Sequence, residues 1–359
     1  MLLEERTEGL YGQLNEELRR FAPGSRFYSV RQLMLRYRVS RRVVDAAIGR
    51  LEKSGVLETR PQSGIFVKRN CARRQVILFL PDWPSEGNRR FMAYLKTEYA
   101  VRTERFEFST ISYDYQSNLI RKIAESPADI CIVVRTGQAI SREELTGFLA
   151  LPQTVIFMWD DLAAVSLHSI RACGEYGGML AASYFIRKGH RQLAILVSEP
   201  RTRDIVNRIS GYTGAARLFG AEVIDIPCEV HPGEYSISKA HDALFTYLET
   251  YGCRFSALFL MSDESSQGAM SALHELGYRI PDDVSIIGYG NDRNAEYFTP
   301  HLTTISGKLR QCAHELAAAI DCLPESPGKE LIDISVVPIL VERDSVRDLK
   351  KKPTAGDTK

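Results

Sequence analysis

Apolar positions recur at helical spacing three times within the first 51 residues. Leu10, Leu14 and Leu18 share one face of a first helix expected to end near Pro23-Gly24. Val30, Leu33, Met34 and Tyr37 keep the i, i+3, i+4, i+7 spacing of a second helix, and Val44, Ala47, Ile48 and Leu51 repeat it in a third that starts after Ser40. Ser29, with Gln32 three residues on, has the pattern of a capping box opening the second helix. Only Arg38-Val39-Ser40 separates it from the third, a connection of the length that helix-turn-helix units use. VLETR and IFVKR then read as two short strands around Pro61-Gln62-Ser63-Gly64, a hairpin with glycine at its tip.

From Gln75 the period changes. QVILFLP, RFEFSTI, DICIVV and TVIFMW are continuous apolar runs of strand length, separated by helical patterns such as NRRFMAYLKTEYA, NLIRKIAES and REELTGFLA. The alternation resumes with LAILVS, AEVIDIP, SALFLM and VSIIGYG, interleaved with GYTGAARLFG, ISKAHDALFTYLE and SQGAMSALHELG. Continuous apolar strands between helices mean βαβ units around a buried parallel sheet. So many strands suit two doubly wound lobes with a cleft between them. The expected organisation is an α+β winged helix-turn-helix domain over residues 1–68, a polar linker at 69–74, a two-lobed α/β body over 75–347 and a disordered tail at 348–359.

Composition narrows the setting. The 359 residues are 44% hydrophobic and 25% charged, as in soluble globular proteins. The opening MLLEERTEGL lacks the basic and apolar regions of a signal peptide, and no apolar run approaches a membrane span, so the expectation is a cytoplasmic protein without membrane contact. Seven scattered cysteines with no CxxC pair argue against a disulfide framework and a zinc site. The formal net charge of +1 conceals an asymmetry: residues 1–74 hold 16 Lys+Arg against 8 Asp+Glu, and the remainder 30 against 37. Eight arginines and no acid lie between Arg19 and Arg42, which points to a polyanionic partner for the opening region.

If Val44, Ala47, Ile48 and Leu51 face inward, Ser40, Arg41, Arg42, Asp45 and Gly49 face outward at the start of the third helix, where free backbone N–H groups and the positive dipole end also point. That is the end a recognition helix places in the major groove. Arginine there can fork onto guanine or clamp a phosphate, and Ser40 can donate to a phosphate oxygen. The hairpin would be a wing against the adjacent backbone or minor groove. PGSRFYSVRQL, VSRRVVDAAIGRLEKSGVL and RPQSGIFV together resemble the winged helix-turn-helix head of GntR-family regulators over residues 10–68. The resemblance implies DNA contacts at Arg31, Ser40, Arg41, Arg42, Gln62, Ser63 and Gly64. Where that family usually has arginine this chain has Asp45, which would either accept from cytosine N4 or pair with Arg41 or Arg42.

The body shows no GxxxxGK[ST], no GxGxxG after a strand, no GxSxG and no HExxH, and its histidines, His190 and His301 among them, have no ligand spacing. No catalytic constellation, cofactor or metal is expected, and the chain is read as a non-enzyme. KGHRQLAILVS, NRISGY, LFLMSDESSQGAM, VSIIGYG and TPHLTTI resemble the effector domain of LacI/GalR-family repressors, itself similar to periplasmic sugar-binding proteins. A GntR-type head on such a body is the architecture of the arabinose-repressor group.

Ligands of open α/β sheets sit beyond the carboxyl ends of the strands, where Asp263 follows SALFLMS and Arg208 stands in the helix after LAILVS. A carboxylate accepting from neighbouring hydroxyls, opposed by a guanidinium, suits a polyol, and the family resemblance puts its sugar-contacting residues at the same two positions. Trp83 after the first body strand offers an aromatic face, Tyr235 falls where the family often carries an aromatic, and Asp160 (or Asp161) after TVIFMW offers a hydroxyl acceptor. The family's paired aspartates after GY become Gly290 and Asn291, and Gly307 replaces its polar residue beyond LTTI. No Lys/Arg cluster is evident among these cleft positions. The expectation is a homodimeric regulator, a repressor, that binds double-stranded operator DNA and senses a sugar. The alternatives are a purine or sugar phosphate effector, or a binding protein or enzyme that does not act on DNA.

Overall fold

The computed structural model describes residues 3–351 except 19, 23, 54, 69–72, 115, 136–139, 232 and 324–330. The predicted linker is therefore largely outside the described residues, as is the tail from residue 352; the tail's first residues are tied down, the Leu349 N–H donating to Lys188 O at 2.8 Å.

The head contains α1 (Leu3–Leu18), α2 (Val30–Tyr37) and α3 (Arg41–Lys53), followed by β1 (Leu57–Arg60) and β2 (Gly64–Val67). Leu10, Leu14, Leu18, Leu33, Val44, Ala47, Ile48 and Leu51 are buried in one core, as the periodicity requires. The first helix stops at Leu18, earlier than expected. Beyond it the chain turns so that the Phe21 ring meets Phe27 and Tyr28 edge-on at 5.0 and 5.3 Å. The capping box closes both ways: the Gln32 N–H donates to Ser29 Oγ at 3.3 Å and the Ser29 N–H to Gln32 Oε1 at 2.8 Å. Arg38, left-handed at φ 51°, ends α2 and leaves three residues before α3. The strands pair antiparallel from Leu57↔Val67 to Arg60↔Gly64. A further segment lines the other edge of β2: Phe27 N–H donates to Ile65 O, Val67 N–H to Ser25 O and Gly24 N–H to Val67 O, at 2.7–3.0 Å.

The first lobe of the body holds β3 (Arg74–Pro81), α4 (Glu86–Ala100), β4 (Phe106–Tyr113), α5 (Leu119–Ala124), β5 (Ile130–Val134), α6 (Arg142–Leu149), β6 (Thr154–Met158) and β7 (His168–Ala172). The second holds α7 (Gly174–Arg187), β8 (Gln192–Leu196), α8 (Arg203–Leu218), β9 (Glu222–Ile226), α9 (Ser236–Tyr251), β10 (Ala257–Leu260), α10 (Asp263–Glu275), β11 (Ser285–Tyr289) and β12 (Thr303–Ser306). The chain then runs through α11 (Leu309–Cys322), returns β13 (Asp333–Val336) to the first sheet and gives β14 (Ile339–Val341) to the second. The sheet orders are β13-β7-β6-β5-β3-β4 and β14-β12-β11-β10-β8-β9, so the chain passes between the lobes three times. β14 runs antiparallel to β12, while the carboxyl ends of β3, β5, β6, β8, β10 and β11 face the interlobe cleft.

The pattern reading misses α7 because GEYGGMLAASYFIR is broken by small residues. Their purpose is close approach. A Cβ on Gly178 would lie 2.1 Å from Arg208 O, and one on Gly211 would lie 1.9 Å from Glu175 O. Backbone-to-backbone packing of α7 on α8 is possible only with hydrogen at both positions. His190 is buried, its ring between Ser256 Oγ (2.8 Å) and Arg347 O (3.1 Å).

Candidate DNA-binding face and effector cavity

At the start of α3, Ser40, Arg41, Arg42 and Asp45 are all exposed, and Gln62 and Ser63 are exposed at the wing tip. Arg41 Nε lies 3.4 Å from Asp45 Oδ2 one turn on, so the aspartate forms the intrahelical pair. Other arginines of the head are also occupied: Arg36 by Glu17, Arg50 by Glu8 and Arg60 by Glu58. Glu17 is buried and also accepts from the Tyr37 hydroxyl, which fixes α2 on α1. Arg31 and Arg42 are exposed and have no ion pair among the described residues.

Within the body a cavity of ≈ 190 Å³ opens where the strands of both lobes end. Trp83 follows β3, Arg135 follows β5, Trp159 and Asp160 follow β6, Glu199 follows β8, Ser262 and Glu264 follow β10, and Asp292 follows β11. Asp204 and Arg208 face it from α8, and Tyr289 from the end of β11. Its charges are internally balanced. Asp160 Oδ2 lies 3.4 Å from Arg135 Nη1; burial pushes the carboxyl up and the guanidinium pulls it back. Asp204 pairs with Arg208, whose Nη1 donates to Met261 O at 2.8 Å and whose guanidinium lies 3.4 Å from the centroid of the Tyr289 ring.

Two wall carboxylates are held from across the cleft. Asp292 pairs with Arg90 of α4, which also donates to Gly290 O at 3.2 Å. Glu264 accepts from the Glu86 N–H at 3.1 Å and lies 3.6 Å from Arg89. Glu199 differs in being hydrogen-bonded by hydroxyls: Ser262 Oγ donates to it at 2.6 Å, and the Arg208 charge acts on it without an ion pair among the described residues. Burial raises its pKa above the usual carboxylate range, with the Ser262 and Ser236 hydroxyls opposing the shift. Groups of His, Cys, Asp and Glu able to hold a metal are absent among the described residues.

Residues 6–67 match the family model of bacterial regulatory proteins, gntR family, and residues 182–346 that of the periplasmic binding protein-like domain. The HTH-type transcriptional repressor PurR of Vibrio atlanticus (strain LGP32) is 31% identical over 238 residues, 66% of this chain and 70% of that protein. The chain belongs to the LacI/GalR family of transcriptional regulators, with a GntR-family head. Solved structures share the fold of the body. A LacI family regulator of Enterococcus faecium with bound ribose superposes with a TM-score of 0.65 at 20% identity, covering 77% of this chain and all of that one. The lac repressor dimer bound to operator and the anti-inducer ONPF gives 0.66 at 17%, covering 77% of this chain and 94% of that one. The regulator is thus a ligand-responsive DNA-binding protein, and no helix among its described residues is long and apolar enough to cross a membrane.

Of the anticipated effector residues, the regulator's cavity brings together Trp83, Asp160 and Arg208. Asp263 stands behind the wall, 1% exposed, accepting from Thr304 Oγ1 at 2.6 Å and from the Asp292 N–H at 2.7 Å; the helix cap is its neighbour Ser262. Burial and the adjacent Asp292 push the Asp263 carboxyl up to about 7. Tyr235 is 53% exposed at the start of α9, and Asn291, left-handed at φ 52°, accepts from Arg343 Nη2 at 2.8 Å; neither lines the cavity. Arg135, Trp159, Glu199, Arg203, Asp204 and Asp292 line it without having been anticipated. An arginine cluster is therefore present after all. The spacing of Asp204 four residues before Arg208 on one helix was the available signal for that pair.

Proposed function

We propose that this regulator is a repressor acting as a homodimer, that Arg31, Ser40, Arg41, Arg42 and Gln62 to Gly64 contact its operator, and that its effector is an uncharged single-ring polyol, a sugar, held in the body cavity. One observation carries the effector class. The buried guanidiniums of the wall, Arg135 and Arg208, are each neutralised by a wall carboxylate, which leaves acceptors and donors for hydroxyls and, among the described lining residues, only the exposed Arg203 as a guanidinium without an ion pair. Trp83 and Trp159 supply faces for the apolar side of a sugar ring, while the Tyr289 ring is covered by Arg208. Asp263 acts from behind, orienting Asp292 and Thr304. A nitrogen heterocycle of purine size is the second reading, favoured by the same rings and by Glu199 as acceptor for a ring N–H.

The chain has two tryptophans, and both line the cavity, so its own emission reports occupancy. Titration with pentoses, hexoses, nucleobases and sugar phosphates should show a change with a neutral sugar, and a sugar at 100 times its dissociation constant should stabilise the body by about 2.7 kcal/mol. A response confined to phosphorylated sugars overturns the reading; one confined to nucleobases selects the second.

A further inference from the structure

The edge segment of the wing carries an arginine that nothing above uses. We propose that Arg26 contacts DNA, clamping a backbone phosphate beside the wing tip; the proposal rests on the DNA-binding reading of the head. Three observations meet at this residue. Gly24 to Phe27 anneals to β2, and alternation along that segment puts Phe27 into the core, 4% exposed, and Arg26 on the opposite, exposed side, bridged to Phe66. The Arg26 guanidinium lies along Gly64: Nε and Nη2 stand 3.0 and 3.2 Å from where a Cβ on Gly64 would be. Gly64 has φ +109°, so a side chain there would be strained and would also displace Arg26.

The third observation is charge. Arg36, Arg41, Arg50 and Arg60 each hold a carboxylate, whereas Arg26 has no ion pair among the described residues. A phosphate contact by Arg26 displaces only counterions and solvent, so its full charge enters the salt dependence of binding. A guanidinium lying along backbone at the edge of a small sheet suits the regular charge of the duplex rather than a base edge, so its contribution is independent of sequence.

The test uses the full chain and a fluorescein-labelled duplex of arbitrary sequence, with binding followed by anisotropy over a range of salt. Arg26→Gln should lower the slope of log K against log salt by about one and weaken binding about eightfold near 0.1 M salt, the factor that a slope of 0.9 gives over a decade. Arg26→Lys should keep most of the slope, because a point charge still reaches the phosphate. Arg50→Ala, which removes a paired arginine, should leave the slope unchanged. An Arg26→Gln slope equal to wild type overturns the proposal, as does weakened binding at unchanged slope, which would mean a packing role. If the wild-type chain itself shows no salt-dependent binding to the duplex, the DNA-binding reading of the head falls first and the proposal falls with it.

Discussion

Head and body treat the same side chain in opposite ways. In the head, arginines stand in water: Arg41 is 77% and its partner Asp45 52% exposed, and such a pair can be exchanged for a phosphate at little cost. In the body, Arg135 is 5% exposed and Arg208 15%, each against a carboxylate at least as enclosed as itself or nearly so. Breaking those pairs strands a charge away from water. Burial, rather than residue type, therefore separates arginines that water screens from arginines that a carboxylate must neutralise.

The comparison can be broken most forcefully at α8. Arg208→Ala should destabilise the body by about 3–5 kcal/mol in chemical denaturation, because Asp204 is left buried and unpaired, and Arg208→Ala/Asp204→Ala should recover much of the loss. A loss below about 1 kcal/mol would show the pair to be solvated like those of the head. A smaller effect is expected from pH. The Asp263 carboxyl, at about 7 in the folded state against about 3.9 when unfolded, holds its proton preferentially in the native protein. Its stabilisation is full in acid and lost as the pH rises through about 7, so the melting temperature should fall across that range by roughly a few degrees. Asp263→Asn should flatten the fall, and an unchanged profile would locate the titration elsewhere.

In the head, Ser29→Ala removes one half of the capping box and should cost about 1 kcal/mol of head stability, read from the loss of helical signal. The smallest effect belongs to Asp45→Ala. It should change stability by no more than about 0.5 kcal/mol while tightening duplex binding, since Arg41 is released. Weaker binding would instead make Asp45 a direct reader of the operator.

The head was legible because its instructions are local: the Ser29 box, the three-residue link Arg38 to Ser40 and the hairpin around Pro61 each operate within a few residues. The body's strands were legible as apolar runs, but β7 and β13 were not, being mixed (HSIRA, DISV), nor was β14, apolar but only three residues long (ILV); β13 and β14 are defined by partners far along the chain. In the cavity, the strand-end rule found Trp83, Asp160 and Arg208. It could not tell which of Asp263 and Asp292 faces the ligand space, because that is decided by the Thr304 hydroxyl on a neighbouring strand. Nor could it find Glu199, whose hydrogen-bond partner Ser262 lies 63 residues further along the chain.

The late strands have a consequence in time. The contacts that define the winged helix are complete once Lys68 has been made, whereas the first sheet awaits Asp333–Val336 and the second Ile339–Val341. At about 5–20 residues per second of synthesis, the intervening stretch takes on the order of tens of seconds. Through that interval the winged helix has all the strands of its own small sheet, while each body sheet still lacks a strand that only the last part of the chain supplies.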